Sequence, residues 1–190
     1  MDPWGKPYLV GHQEFAALYG VEPHIVSQWL SSRRRVLAPS TALVVSGLRY
    51  WPLGFAARFG AMADRFKQVD VRVKARLVAE QGRGWEPDLG HELPPIVGQH
   101  EIVQLFGLKS QANLTATISS GRFPPADWRL SGSKLWLLET VIEAVPHLQA
   151  RARTVPWTVD EGVAEALREG TYDGPGSRVA SRGPYARKGL

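Results

Sequence analysis

Apolar residues along this chain alternate between a helical and a strand-like spacing, and the same alternation occurs twice. Phe15, Leu18 and Tyr19 recur at helical intervals behind Gly11 and Glu14, and Gly20 closes the run; Ile102, Leu105 and Phe106 do the same behind Gly98 and Glu101, closed by Gly107. A glycine can serve as the cap, and a carboxylate three residues on meets the free amides and positive end of a helix. A glycine after the last apolar residue supplies the left-handed backbone that ends it. Each segment therefore predicts a first helix and a tight turn. A second helix follows in each case: from Pro23 to about Arg34, burying Ile25, Val26, Trp29 and Leu30, and from the cap residue Ser110, burying Leu114 and Ile118. The period then drops towards two. Leu43-Val44-Val45 and Arg49-Tyr50-Trp51 flank Ser46-Gly47-Leu48, and Trp128-Arg129-Leu130 and Lys134-Leu135-Trp136 flank Ser131-Gly132-Ser133, which predicts two β-hairpins.

The two patterns are copies of one another. Leu9-Val10-Gly11-His12-Gln13-Glu14-Phe15 aligns with Ile96-Val97-Gly98-Gln99-His100-Glu101-Ile102, and Leu30-Ser31-Ser32-Arg33-Arg34 aligns with Ile118-Ser119-Ser120-Gly121-Arg122 once the second copy is allowed one extra residue. Val45-Ser46-Gly47-Leu48-Arg49-Tyr50-Trp51 pairs with Leu130-Ser131-Gly132-Ser133-Lys134-Leu135-Trp136. Three matching blocks in one order mark an internal duplication. Trp29, Trp51 and Trp136 fall at apolar positions of the repeat, which assigns them to cores rather than to base stacking.

Between the copies, Phe55, Phe59, Met62, Phe66, Val69 and Val73 recur at spacings of four and three, so residues 54–81 are expected to form one long connecting helix. Its stripe has to be covered, either by the chain's own modules or by a second copy in a homodimer. Residues 82–93 are rich in Gly and Pro and read as a linker. The organisation expected is a first module over 1–53, the connector over 54–81, the linker, a second module over 94–150, and a short helix followed by a basic flexible tail over 151–190. The fold class is mainly α with small β-hairpin wings.

Charge narrows the partner. The 190 residues carry 23 Lys and Arg against 18 Asp and Glu, a net +5, which suits a polyanion. The excess is uneven: residues 1–81 hold 11 basic and 6 acidic side chains, whereas residues 82–150 hold 5 and 7. The first copy is thus expected to be the stronger binder of phosphate. With no cysteine, disulfides and thiolate metal sites are excluded. No secretory signal and no apolar run approaching the ~20 residues of a membrane span is visible, so a cytoplasmic, nucleoid-associated protein with no membrane partner is expected.

With these residues in hand, the chain resembles the MerR and excisionase superfamily of winged helix-turn-helix proteins, as a tandem pair. The second copy is the clearer match, through Glu101-Ile102-Val103-Gln104-Leu105-Phe106-Gly107-Leu108, Ser119-Ser120-Gly121-Arg122-Phe123-Pro124 and the hairpin ending in Trp136. The resemblance implies double-stranded DNA as partner, with the second helix of each copy in the major groove. The residues it implies for base edges are His24, Ser27, Gln28 and Ser31 in the first copy, and Ser110, Gln111 and Thr115 in the second. Arg33, Arg34, Arg35 and Arg122 would meet phosphates, and Arg49 and Lys134 would bring the wings to backbone or minor groove. The expected function is a repressor-like transcriptional regulator that is not an enzyme. An architectural or excisionase-like or partition protein is the alternative, and an adaptor that holds another protein through its acidic second module is a third.

Signals for other chemistry fail on context. Ser131-Gly132-Ser133-Lys134 matches the Ser-x-x-Lys pattern of penicillin-binding enzymes, yet it falls in a hairpin turn and no Lys-Thr-Gly exists. Gly174-Pro175-Gly176 follows no strand and lacks dinucleotide spacing. The five histidines are dispersed, so neither a metal nor a cofactor is implied.

Overall fold

A computed structural model describes residues 5–31, 36–62, 68–90, 93–152 and 155–179. The first half runs β1 (Lys6–Pro7), β2 (Leu9–Val10), α1 (His12–Leu18), α2 (Pro23–Ser31), a 3-10 turn at Pro39–Thr41, β3 (Leu43–Val45), β4 (Leu48–Pro52), α3 (Leu53–Met62), α4 (Val71–Gln81) and β5 (Gly84–Trp85). The second half repeats the first part of that order: β6 (Ile96–Val97), α5 (Gln99–Leu105), α6 (Gln111–Ser119), β7 (Trp128–Leu130), β8 (Ser133–Leu137) and α7 (Leu138–Glu143), then α8 (Val145–Ala150) and α9 (Glu161–Glu169). The fold is mixed α/β with helices predominating and small sheets.

Each half builds one antiparallel three-stranded sheet, ordered β2-β4-β3 and β6-β8-β7. The registers correspond, with Val10 opposite Trp51 and Val97 opposite Trp136. Both hairpins turn through two residues of positive φ, Ser46 (48°) and Gly47 (78°) in one, Ser131 (48°) and Gly132 (79°) in the other. That is the geometry whose twist matches the flanking strands. The helix stops are equally alike, since Gly20 (58°) and Gly107 (55°) take the left-handed conformation.

Apolar side chains gather into three clusters. In the first half Phe15 is the hub: its ring lies 5.2 Å from Trp51, 5.5 Å from Phe59 and 6.0 Å from both Trp29 and Tyr19. The Tyr19 hydroxyl donates to Ala56 O at 2.7 Å and accepts from Gly60 N–H at 2.8 Å, tying α1 to α3. In the second half Thr117 stands at the Trp29 position, and an indole comes from elsewhere. Trp157, beyond α8, packs 5.2 Å from Phe106 and 6.0 Å from Phe123 and is buried. The third cluster belongs to both halves, joining Leu9, Val45 and Tyr50 to Ile96, Trp128, Leu130 and Leu135.

Residues 54–81 do not form one long helix. The chain is helical to Met62 and again from Val71. The Asp70 carboxylate caps α4 by accepting from Arg72 N–H at 2.8 Å and Val73 N–H at 3.2 Å, while its own N–H donates to Leu18 O at 2.8 Å. That bond ties the start of α4 to the end of α1. The apolar stripe is covered from within: Phe59 belongs to the first core, Phe55, Val69 and Val73 pack against it, and Met62 is exposed. Phe66 lies outside the described residues. At the end of α4, buried Gln81 accepts from Leu9 N–H at 3.0 Å and donates to Leu9 O at 2.9 Å, which satisfies a strand edge that would otherwise be open.

The two hairpin turns are not free wing tips, because each plugs into the opposite half. Ser131 donates to Glu14 through its N–H (2.8 Å) and its hydroxyl (2.7 Å), and its Oγ accepts from Gln13 N–H at 3.0 Å. Ser46 mirrors this, donating to Glu101 through N–H (2.7 Å) and hydroxyl (2.6 Å) and accepting from His100 N–H at 3.0 Å. Each carboxylate also accepts from its own cap, Gly11 or Gly98 N–H, at 3.0 Å. One glutamate thus caps its own helix and receives the partner turn. Close approach explains the two glycines: a Cβ on Gly98 would overlap Ser46 Oγ and lie 3.0 Å from Ser46 Cβ, and Gly11 meets Ser131 in the same way.

Gly98→Ala is therefore expected to cost about 1–3 kcal/mol, the usual penalty of forcing atoms into a packed contact. Gly90→Ala, where an added Cβ meets nothing within 4 Å, is expected to stay within about 0.5 kcal/mol of the parent. Thermal or urea unfolding of the two variants measures the difference; equal stabilities would show that the turn can back away from α5.

Candidate nucleic-acid interface

Helix α2 buries Val26, Trp29 and Leu30. Residues at i, i+3, i+4 and i+7 from His24 share its other face, and there His24, Gln28 and Ser31 are exposed and Ser27 half-buried. This face forms one wall of an open groove of about 900 Å³. The groove is also lined by the first hairpin, from Gly47 through Leu48 and Arg49 to Tyr50, by His12 and Gln13 of α1, by Ser131 from the other half, and by Val179. Five residues singled out from the sequence, His24, Ser27, Gln28, Ser31 and Arg49, are thus brought to one groove. His12 is set against Trp51, edge to face with ring centres 5.2 Å apart.

The remaining candidates lie elsewhere. Ser110 holds the N-cap position of α6 but makes no side-chain cap bond. Gln111 donates to Gln99 Oε1 at 2.6 Å, and Thr115 is exposed. Arg122 Nε donates to Ser120 Oγ at 2.8 Å, close to Asn113 and Arg151 on another side of α6. Lys134 is half-buried on β8, in register with Arg129. Arg33, Arg34 and Arg35 lie outside the described residues.

The groove also contains what the sequence did not single out. Tyr50 sits at the centre of the third cluster, where burial raises its phenol pKa above the ordinary value and the carboxylates of Glu14 and Glu101 add to the rise. Its counterpart is Leu135. No sequence signal separates a tyrosine that fills a strand from one that lies between two capping glutamates. The chain beyond α9 was expected to be solvated, yet residues 171–179 run back to the junction. Gly176 O accepts from Gly47 N–H at 2.8 Å, and a Cβ on Gly176 would crowd the Glu101 carboxylate and lie 2.9 Å from His100 Cβ. Tyr172 donates to Pro175 O at 2.9 Å. Its phenol pKa is pushed up to about 12, by burial first and by Glu101 second.

No group of three or more His, Asp or Glu suited to a metal ion occurs among the described residues, and no helix among them is long and apolar enough to cross a membrane. Chemically, the groove offers amide, imidazole, hydroxyl and guanidinium groups on a rigid helix and hairpin, a set suited to base edges and phosphates. No protein-family model, no curated protein and no solved structure matches the chain.

A phenol held neutral in the folded state contributes stability that is present below its unfolded pKa and lost as pH rises through the folded one. For Tyr172 that window runs from about 10 to about 12. Tyr172→Phe is expected to lose stability less steeply than the parent over that window. Urea midpoints measured at intervals from pH 9 to 12 give the comparison, and parallel curves would mean that the residues after α9 do not hold Tyr172 at the junction.

Proposed function

We propose that this protein binds double-stranded DNA sequence-specifically and works as a repressor-like transcriptional regulator, with α2 entering the major groove. The observation that carries the reading is the shared groove: His24, Ser27, Gln28 and Ser31 on one face of α2 line it together with Arg49 of the first hairpin. The strand, two helices, hairpin and further helix of each half support reading it as a winged helix-turn-helix of the MerR and excisionase kind. An α-helix fits a major groove about 12 Å wide, Gln can pair with adenine in bidentate fashion, and Arg on the rim suits phosphate. The hairpins contribute their strands rather than their tips, since both turns are taken up between the halves.

Two measurements test this. Duplex affinity is expected to fall linearly with log salt, and a flat line would remove phosphate contact and the proposal with it. Gln28→Ala is expected to cost about 1–3 kcal/mol on the preferred sequence while leaving random duplex unchanged, whereas Arg49→Ala is expected to weaken both alike. Equal loss on both DNAs for Gln28→Ala would take α2 out of the reading role.

A further inference from the structure

We infer that one copy of this chain occupies one non-palindromic duplex site, with base preference confined to the stretch under α2. This rests on the DNA-binding reading and specifies its partner. A symmetric dimer makes self-complementary contacts, residue by residue, across its twofold axis, and a palindromic site mirrors that axis. Here the reciprocal contact is made within one chain: Ser131 on Glu14 and Ser46 on Glu101 are the two sides of such an interface. The polar groups of that reciprocal contact are thus taken up within one chain.

What faces outward is duplicated only in part. Helices α2 and α6 each have nine residues, and their burial patterns superpose when Val26 is set on Leu114 and Trp29 on Thr117. That register puts the extra residue of the second copy ahead of α6; it keeps a hydroxyl at two positions of the face, Ser27 with Thr115 and Ser31 with Ser119, but sets Ala112 opposite His24 and Ala116 opposite Gln28. An alanine methyl can touch a thymine methyl but makes no hydrogen bond to a base edge. The segment after α9 adds to the imbalance, since Gly176 lies against His100 and Glu101 of the second half, whereas Val179 of the same segment lines the groove of the first.

The experiment is selection of bound sequences from a random duplex pool with the full chain, followed by native mass spectrometry of the chain on the selected site. One chain per duplex and a motif without dyad symmetry are expected. His24→Ala combined with Gln28→Ala should lower the ratio of specific to random affinity at least about tenfold, and Gln111→Ala combined with Thr115→Ala should change it less than about twofold. All four side chains are on helix surfaces, and circular dichroism checks that the variants fold. A dyad-symmetric motif, two chains per duplex, or equal losses from the two pairs would overturn the inference while leaving DNA binding intact. Absence of any salt-dependent duplex binding would overturn both.

Discussion

The structure depends on one bond pattern used twice: a glutamate at the start of a helix that caps its own glycine and accepts a serine turn from the other half. Glu101 is only 3% exposed, and a carboxylate taken so far out of water is tolerable only when its lone pairs are filled. Backbone N–H groups and a hydroxyl fill them, in charge-assisted bonds stronger than neutral ones. Because both partners of each bond lie at fixed places in rigid elements, the clasp sets the distance between hairpin and helix in both halves. The third apolar cluster, with residues from both halves, then closes over it. Neither half is complete without the other, so the chain is better regarded as one folded unit with internal symmetry than as two beads on a connector.

Much of this was legible along the chain. The duplicated helices, their glycine stops, the hairpins and the core tryptophans follow from spacing alone, because those features are local or depend on a single face. What the spacing did not reveal is long-range. The stripe from Phe55 to Val73 reads as a coiled-coil seam, since the pattern that would cover a partner helix is the same pattern that covers a core; the hydrogen bond from Asp70 to Leu18 O, which decides between them, leaves no periodic trace. Likewise Ser46-Gly47 and Ser131-Gly132 announce a turn but not its neighbour. The site was legible on α2, where exposed polar residues interrupt a buried face, and illegible at Tyr50, Ser131 and Val179, which join the groove only through the docking of the halves.

The duplication also separates two kinds of position. Residues at the junction keep their identity in both copies, as glycine, glutamate, serine and glycine. Residues facing away from it are kept less strictly: Ser27 and Ser31 correspond to Thr115 and Ser119 and Arg49 to Lys134, but Ala112 and Ala116 stand where the first copy has His24 and Gln28. The chemistry that binds the halves together requires a small set of atoms at close quarters, while the outer faces of α2 and α6 carry no such requirement. The two copies can then share one junction while carrying different groups on their outer faces.

The borrowed indole of the second half gives the chain a direction in time. Every buried member of the first core lies between Val10 and Leu77, whereas the second core waits for Trp157 and Ala164. On a ribosome the first half has every member of its own core in hand while the second is still being made; only Leu9, Val45 and Tyr50 wait for the second half to cover them. The second emerges with a socket beside Phe106 and Phe123 that only the last part of the chain fills. Because each turn docks into the other half, the earlier half offers a surface, Ser46 and Val45 included, on which the later one can be assembled. Trp157, which supplies the second core with an indole where Thr117 stands at the Trp29 position, therefore turns a symmetric fold into one with a beginning and an end.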